Sequence, residues 1–156
     1  MALVRILVDG YSLLHQWPEL APGTSRFSAP ARDALVRKLA EYRDATRTPI
    51  TIFFDGAGAP PGTPKPVSNP DLEVLFSPAG VTADQMIERV AYRLQPFGEV
   101  LVVTDDNAER DTVINFGGFA SSCASFISQV EAAVGELATD VKNYNRREQE
   151  RFRRRS

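Results

Sequence analysis

The stretch LVRILVDGYSLL, residues 3–14, opens with a short apolar run that ends on an aspartate. Its first part, Val4–Asp9, is apolar and rich in β-branched side chains, which predicts a buried strand. Two later runs have the same character, ITIFFD at Ile50–Asp55 and VLVVT at Val100–Thr104, and LEVLF at Leu72–Phe76 predicts a further strand. The chain is therefore expected to build a sheet from at least these four strands.

Helical patterns separate the predicted strands. Ala31–Thr46 is the clearest, because apolar side chains recur along one of its faces. The other predicted elements are helices at Gly10–His15, Thr82–Leu94, Asn107–Phe116 and Ser125–Gly135, and a short strand at Phe119–Ser121. Strands that alternate with helices predict an α/β fold, a single domain with a mostly parallel β-sheet and helices on both faces. Residues 56–70, rich in Pro and Gly, are expected to form a long surface loop.

The composition is that of one ordinary globular domain, with 156 residues, 43% of them hydrophobic and 24% charged. No apolar run approaches the roughly 20 residues of a membrane span, and no leader precedes the first strand, so a cytoplasmic location is expected. Cys123 and His15 are the only cysteine and histidine, which excludes an internal disulfide and the usual Cys/His zinc site. Any bound metal is therefore expected to be a hard cation held by oxygen.

Charge is distributed unevenly along the chain. Residues 146–156 carry six arginines and two glutamates, a net charge of +4, whereas residues 1–145 carry −6. We expect a folded domain at residues 1–136 and a basic, helical tail at residues 137–156. An acidic body is unlike a high-affinity DNA-binding protein, but it suits a protein that handles a polyanion through a local patch and a metal.

Aspartates stand at the ends of the predicted strands. Asp9 closes the first, Asp55 closes the second, Asp105 and Asp106 follow the fourth, and Asp84 lies near the start of the helix after the third. Parallel strands present their carboxyl ends on one edge, where open α/β folds bind ligands. Carboxylates that converge there repel each other by roughly 4 kcal/mol per pair at ~4 Å. A divalent cation removes this repulsion, so the pattern predicts a Mg²⁺ or Mn²⁺ site that activates water near a phosphate.

Each of these aspartates also has a purely structural interpretation. Asp55 can be a turn residue, and Asp105 or Asp106 can cap the following helix. The coincidence of acids at several strand ends favours the metal site over separate structural roles.

Asp84 has the strongest structural alternative. Thr82 and Gln85 match a capping box, and an acid in the first turn favours the helix dipole. Asp84 and Glu88 nevertheless share a helix face with the apolar stripe, which places Asp84 above buried side chains rather than out in solvent.

An ordered set of motifs resembles the YacP-type NYN domains, a branch of the PIN-like nucleases. The set is LVDGYSLL, WPEL, Ala31-Arg32, ITIFFDG, LFSPAGVTADQMIE and VVTDD, and it covers about residues 3–131. The family pattern runs DGYN, WP-L, AR, VVFD, TAD(D/E)-IE and V-TSD in the same order. The resemblance implies a PIN-like sheet, dependence on Mg²⁺ or Mn²⁺, and endoribonuclease activity on single-stranded RNA, linked to RNA decay on or near ribosomes.

The resemblance also implies roles for individual residues. Asp9 and Asp84 would be the essential catalytic metal ligands, and Asp106 a further catalytic ligand or a water-mediated partner. Asp105 stands where the family has Ser and is a candidate additional metal ligand. Beyond the resemblance, the candidate supporting or substrate-contacting residues are Ser12, Asp55, Glu88, Thr104 and Trp17. Ser12 stands where the family has Asn and can still donate to a phosphate, whereas Gln85 stands where the family has a second acid and loses a charge.

Three functions compete on these observations. The first is a metal-dependent endoribonuclease that hydrolyses phosphodiester bonds of single-stranded RNA and leaves a 5′ phosphate. The second is a non-catalytic RNA- or ribosome-binding module on the same fold, which Ser12 and Gln85 favour. The third, a phosphatase of the haloacid-dehalogenase type, needs a second Asp where this chain has Tyr11. Nucleotide-cofactor folds are weaker, because neither GxGxxG after the first strand nor a P-loop motif is present.

Residues in the loops and the tail have more than one interpretation. Trp17 can stack on a base, but anchoring its loop is the favoured role. Arg26 and Lys65 lie in the two long loops expected to flank the acids, and either can guide RNA. The arginines of the tail can contact phosphates or a ribosome, or can form a solvated helix end.

Overall fold

The structure is a computed structural model that describes residues 3–56 and 70–155, with side chains up to residue 153. The strands are β1 (Leu3–Asp9), β2 (Ile50–Phe54), β3 (Leu72–Phe76), β4 (Glu99–Val103) and β5 (Phe119–Ser121). The α-helices are α1 (Gly10–His15), α2 (Ala29–Thr46), α3 (Ala83–Leu94), α4 (Asn107–Asn115) and α5 (Cys123–Arg155). Within these residues, helices follow β1, β3, β4 and β5, whereas most residues between β2 and β3 lie outside the described part. Two single 3₁₀ turns lie at Pro18–Leu20 and Gln95–Phe97.

The strands form one sheet of order β3-β2-β1-β4-β5, in which every neighbouring pair is parallel. Val8 in the central strand pairs with Ile52 on one side and Val103 on the other. All strands therefore end on the same edge, which we call the carboxyl edge. The loops that follow β1, β2 and β4 leave the sheet side by side at this edge.

Helices cover both faces of the sheet, as the sequence predicts. Ile6 and Val8 of β1 belong to a buried cluster with Leu35 of α2 and Phe126 of α5. Leu7 points to the other face and packs in a second cluster with Ile87 of α3 and others. Successive residues of a strand face opposite sides, so one apolar run fills two cores. The fold is an α/β single domain around a five-stranded parallel sheet.

Local chemistry explains where the helices begin and end. Ser28 accepts a hydrogen bond from the Ala31 N–H, so α2 begins at Ala29, two residues before the predicted start. The predicted capping box of α3 is confirmed by reciprocal hydrogen bonds between Thr82 and Gln85, both 3.1 Å long. The other predicted strands and helices lie within one or two residues of the observed bounds, apart from α5.

The last helix runs for 33 residues and includes both the predicted helix Ser125–Gly135 and the tail that was expected to be helical. The proposed boundary between residues 136 and 137 falls inside it. Its first turns bury Phe126 and Val130 in the core, whereas residues beyond 136 are almost all exposed. Most of the predicted loop at 56–70, with Lys65, lies outside the described residues. Among those described, no helix is long and apolar enough to cross a membrane.

Candidate active site at the carboxyl edge of the sheet

Asp9 links the central strand directly to the first helix. It is the last residue of β1 and the N-cap of α1, and its Oδ1 accepts a hydrogen bond of 3.4 Å from the Ser12 N–H. Gly10 follows against the ring of Phe54, and a Cβ atom at this position would overlap that ring. The DGYS motif therefore turns the chain sharply at the carboxyl edge and holds Asp9 there.

Asp84 reaches the same edge from the opposite side of the sheet. It lies in the first turn of α3, immediately after the Thr82 cap. Ala83, beside it, is buried against the core, so the start of α3 is fixed on the sheet. The TAD motif thus anchors a helix terminus whose first acid points to the ends of β1 and β2.

An open cavity of about 280 Å³ lies between these elements, and we call it the acid cavity. The predicted site residues that line it are Asp9, Ser12, Asp55 and Asp84. The other lining residues are Tyr11, Arg26, Phe27, Thr82 and Ala83. Asp55 also accepts a hydrogen bond of 3.4 Å from the Ser77 hydroxyl, which ties the ends of β2 and β3 together.

Asp9 sits in a crowded and partly desolvated position. Burial raises its pKa from 3.8 to about 6, and the neighbouring Asp84 contributes to the rise through charge and a side-chain hydrogen bond. The Ser12 hydrogen bonds lower the pKa, but only in part. Asp84 is therefore close enough to oppose the ionisation of Asp9.

Glu109, on α4, is a third acid of this site that the sequence reasoning missed. The residue is only 2% exposed, its Oε2 accepts a hydrogen bond of 2.8 Å from the Thr104 hydroxyl, and its Oε1 has no hydrogen-bond partner among the described residues. Burial raises its pKa from 4.5 to about 8, and Asp84 and Asp9 add to the rise through their charge. An acid buried with one oxygen unpaired is costly, so Glu109 is a candidate ligand for a group bound at this site.

A periodic pattern could have revealed Glu109. Glu109 and Val113 are four residues apart and are the buried residues of α4, so Glu109 occupies the apolar stripe of its helix. An acid on such a stripe, six residues after the end of β4, indicates a buried polar site. The resemblance to the NYN pattern also stopped short of it, at Asp106.

Asp105 and Asp106 are both exposed and serve as caps. Asp106 is the N-cap of α4, where its Oδ1 accepts from the N–H groups of Ala108 and Glu109 at 2.9 and 3.2 Å. Asp105 Oδ1 accepts from the Cys123 N–H at 2.8 Å and so holds the start of α5. Neither residue lines the acid cavity. Through its cap, Asp106 fixes the helix that carries Glu109.

The remaining predicted residues take different positions. Thr104 is buried and connects the end of β4 to the start of α4. Its hydroxyl accepts a hydrogen bond from the Asp106 N–H at 3.0 Å and donates one to Glu109. Glu88 is half-buried one turn beyond Asp84 and does not line the acid cavity. Trp17 is 4% exposed within the core, which agrees with the favoured role as a loop anchor.

The donor set suits a hard divalent cation, although the acids do not surround a single point. Among the described residues, no group of three or more His, Cys, Asp or Glu side chains is arranged to hold a metal ion. Asp9, Asp84 and Glu109 nevertheless repel one another electrostatically, and Glu109 Oε1 is unsatisfied. Oxygen-only donors with unbalanced negative charge fit Mg²⁺ or Mn²⁺.

The comparison with known families identifies one that covers nearly the whole chain. The model of the YacP-like NYN domain matches residues 6–156. A curated relative, the uncharacterized protein YacP of Bacillus subtilis (strain 168), is 32% identical over 138 residues, which cover 88% of this chain and 81% of the relative. The similarity thus spans nearly the whole of both proteins.

Two solved structures have the same fold. A crystal structure of Rae1 (YacP) from Bacillus subtilis superposes with a TM-score of 0.78 at 27% identity, over 96% of this chain and 84% of that chain. A mutant form of the same protein gives a TM-score of 0.76 at 27% identity, over 92% and 84%. The likeness therefore includes the sheet, the helices around it and the carboxyl edge.

Proposed function

This chain belongs to the YacP-like NYN domain family, a family of PIN-like nucleases, and we propose that it is a divalent-metal-dependent endoribonuclease that hydrolyses phosphodiester bonds of single-stranded RNA. One observation carries the proposal: Asp9 and Asp84 line an open cavity, and the buried Glu109, from a third element, interacts electrostatically with both. A purely structural cluster has no need of a buried acid with an unpaired oxygen.

Asp9 and Asp84 are the proposed principal ligands of Mg²⁺ or Mn²⁺, and NYN proteins are typically metal-dependent. Glu109 is the proposed third acid, because its Oε1 has no hydrogen-bond partner. Asp106 and Asp105 are proposed to act at longer range, since one oxygen of each already accepts from helix N–H groups. When bound, a divalent cation activates water and neutralises charge on the phosphate under attack.

Other residues of the acid cavity are proposed to bind the substrate. The Ser12 hydroxyl lines the cavity beside Asp9 and can donate a hydrogen bond to a phosphate oxygen. Asp55 is held at the end of β2 and completes the acidic wall. Thr104 and Glu88 support the site from behind, Thr104 by fixing Glu109. The family implies an RNA substrate, and an open cavity at a sheet edge suits an unpaired strand whose bases are free.

The cellular setting is proposed on the same grounds. The activity would belong to mRNA decay or ribosome-associated RNA processing in the cytoplasm, which fits the one buried, unpaired thiol of Cys123. The exposed basic end of α5 offers positive charge for RNA or a ribosome.

A non-catalytic RNA- or ribosome-binding module on the same fold is the alternative. Gln85 favours it, because this residue stands where the family has a second acid. Its Oε1 accepts a hydrogen bond from the Thr82 N–H, so it is used in the helix cap. The site therefore has one negative charge fewer on α3 than the family pattern has.

Cleavage of a labelled single-stranded RNA by the purified protein tests the proposal. We expect cutting with Mn²⁺ or Mg²⁺, none with EDTA, and a decrease of at least about 100-fold in Asp84→Asn. Asp33→Asn, at an exposed position on α2, is the matched control and should cut normally.

Asp106→Asn separates capping from ligation, because Asn caps a helix as well as Asp does. Its activity should fall by about tenfold or less, in keeping with an indirect role. If the wild type and Asp84→Asn are equally inert while RNA still binds, the catalytic proposal fails and the binding module replaces it.

A further inference from the structure

Arg26 lies between two cavities of the molecule. It lines the acid cavity and also a second cavity of about 270 Å³, which is built by the loop after α1 and includes Trp17 and His15. We call the latter the Trp17 cavity. Among the described residues that line the acid cavity, Arg26 is the only basic one. The Arg26 guanidinium is therefore placed where an RNA strand that leaves the acid cavity would enter the Trp17 cavity.

Phe27, the next residue, is an aromatic side chain held in an exposed position. Its side chain lines the acid cavity and the residue is 46% exposed. The Arg26 guanidinium lies 4.6 Å from the centre of its ring, and the Tyr11 ring packs against it edge-on at 5.0 Å. Both neighbours leave part of the ring open to solvent.

A buried arginine fixes the backbone of this segment. Arg32 is only 3% exposed, and its Nη1 donates to the Phe27 carbonyl at 2.7 Å and to the Tyr11 hydroxyl at 3.2 Å. This gives the Ala31-Arg32 motif a physical role at the cavity mouth. Burying a guanidinium is costly unless its hydrogen bonds are made, so the position of Phe27 is strongly specified.

Packing of the loop does not explain the exposure of Phe27. Trp17, at the other end of the same loop, is 4% exposed and supplies the hydrophobic anchor. An exposed ring beside a guanidinium and an acidic cavity instead has the chemistry of a nucleotide-binding platform: Arg pairs with phosphate, and aromatic and guanidinium planes stack on bases.

We propose that Arg26 and Phe27 form a subsite for the nucleotide next to the scissile phosphate, with the strand continuing into the Trp17 cavity. Arg26 binds the phosphate that links this nucleotide to the next, and the base stacks on the open part of the Phe27–Arg26 surface. Arg32 is a positioning residue that holds Phe27 through its carbonyl. This inference rests on the proposed function, because it takes the acid cavity as the place of cleavage.

Binding of a fluorescently labelled single-stranded RNA of about eight nucleotides, measured by anisotropy in EDTA over a range of salt concentrations, tests the subsite without cleavage. Phe27→Ala should weaken binding about tenfold, because a stacked base contributes roughly this factor or more. Arg26→Ala should also weaken it and reduce the slope of log affinity against log salt by about 0.7, the value for one neutralised phosphate on a single strand.

Arg93→Ala and Phe97→Ala are the matched controls. Both residues are exposed, and they lie at the end of α3 and just after it, at the opposite edge of the sheet. Neither variant should change affinity or slope. Phe27→Leu keeps an apolar side chain for folding, and it should bind RNA as weakly as Phe27→Ala does.

An abasic scan of the same RNA provides the sharper readout. One abasic position next to the cut should weaken binding to the wild type and have no further effect in Phe27→Ala. If RNA binds the wild type, Arg26→Ala and Phe27→Ala equally well, the subsite is wrong, whether or not the wild type cuts RNA with Mn²⁺. If Arg26→Ala and Phe27→Ala show the expected binding defects but the wild type never cuts RNA, the nuclease proposal is wrong. Arg26 and Phe27 then still form a nucleotide-binding subsite. A wild type that neither binds nor cuts overturns both.

Discussion

Ionisation of the Glu109 carboxyl group destabilises the folded state, and ionisation of Asp9 does so to a smaller degree. Their pKa values are raised to about 8 and about 6, in both cases mainly by burial. A folded state with raised pKa values binds protons more tightly than the unfolded chain. The stability that protonation of these acids provides is therefore complete below the ordinary pKa values, near pH ~4. It falls as the pH rises through about 6 and is absent above about 8.

The pH dependence of stability should report Glu109 directly. In EDTA, the unfolding free energy of the wild type should fall relative to Glu109→Gln by on the order of 2–4 kcal/mol between about pH 5 and about pH 9. Gln keeps the shape and can still accept from Thr104, but it carries no charge. Urea unfolding at several pH values measures this difference. Glu131→Gln, at an exposed position of α5, is the control. If the unfolding free energies of the wild type and Glu109→Gln change with pH in the same way, ionisation of Glu109 does not destabilise the folded state.

Single residues also show how far the site could be predicted from the sequence. Asp9, Asp55 and Asp84 were predictable because strand ends and a helix start determine their place, and the structure brings them to one cavity. Asp106 was placed by the same reasoning, yet its N-cap geometry turns one oxygen toward its own helix. Glu109 was missed although its spacing from Val113 places it on the buried stripe of α4, because the motifs that directed the search end at Asp106.

At the scale of elements, the junction of β1 and α1 depends on a close approach between backbone and ring. Gly10 is buried, and its Cα lies so near the Phe54 ring that a Cβ atom has no room. Phe54 is itself enclosed by Tyr11 at 4.9 Å and Phe76 at 5.5 Å, so the ring cannot easily move away. The strand-to-helix turn that positions Asp9 therefore requires glycine at this point.

Substitution at this junction should destabilise the protein and disturb the site together. Gly10→Ala should lower the unfolding free energy by about 1–3 kcal/mol, the usual cost of overpacking a filled core. Gly135→Ala is the opposite case, because this glycine lies within α5 and the Cβ of an alanine would enter open space, so alanine should stabilise by up to about 1 kcal/mol. Urea denaturation compares the two. A neutral Gly10→Ala would mean that Phe54 repacks at little cost.

Element boundaries were predictable where the sequence carries its own start and stop chemistry. Ser28, Thr82 and Asp106 all accept hydrogen bonds at helix starts, and the strands end where apolar runs end. The tail was expected to be helical, and α5 includes it, but no stop signal in the sequence fixes where this helix ends. Beyond Gly135 the apolar stripe against the core stops, but nothing in residues 137–155 forbids helix. Residues such as Arg, Glu and Gln have high helix propensity, so the helix continues beyond the part that packs on the core.

At the scale of the whole molecule, the fold followed from the alternation of apolar strands and intervening helices. Parallel pairing follows from that alternation where a helix joins two strands, since a helical crossover returns the chain to the same end of the sheet. The parallel pairing of β2 with β3, which no predicted helix joins, did not follow from it. The strand order, with β1 central, is a property of packing that the sequence alone did not determine. That order sets Asp9 between the ends of β2 and β4, which lets acids from both flanks approach it.

The charge of the molecule is divided unevenly between the folded domain and the tail. Residues 137–156 carry a net +4, and residues 1–136 carry −6. In α5, the side chains that pack on the core belong to residues up to Val134, whereas the described side chains beyond it are largely exposed. A chain that ends at Glu136 should therefore keep its unfolding free energy within about 0.5 kcal/mol.

This truncation should reduce RNA affinity without changing the chemistry at the cavity. Removing the arginines takes away long-range attraction, so RNA binding should weaken most at low salt. The slope of log affinity against log salt should fall by about 0.7 for each phosphate that the tail neutralises. Cleavage at saturating RNA should stay near the wild-type rate, because no acid of the site lies in the tail. Full-length protein with Glu148→Gln, which changes charge but keeps the helix, is the comparison and should bind RNA slightly more tightly. Equal salt slopes for the truncated and full-length chains would mean that the tail arginines form only a solvated helix end.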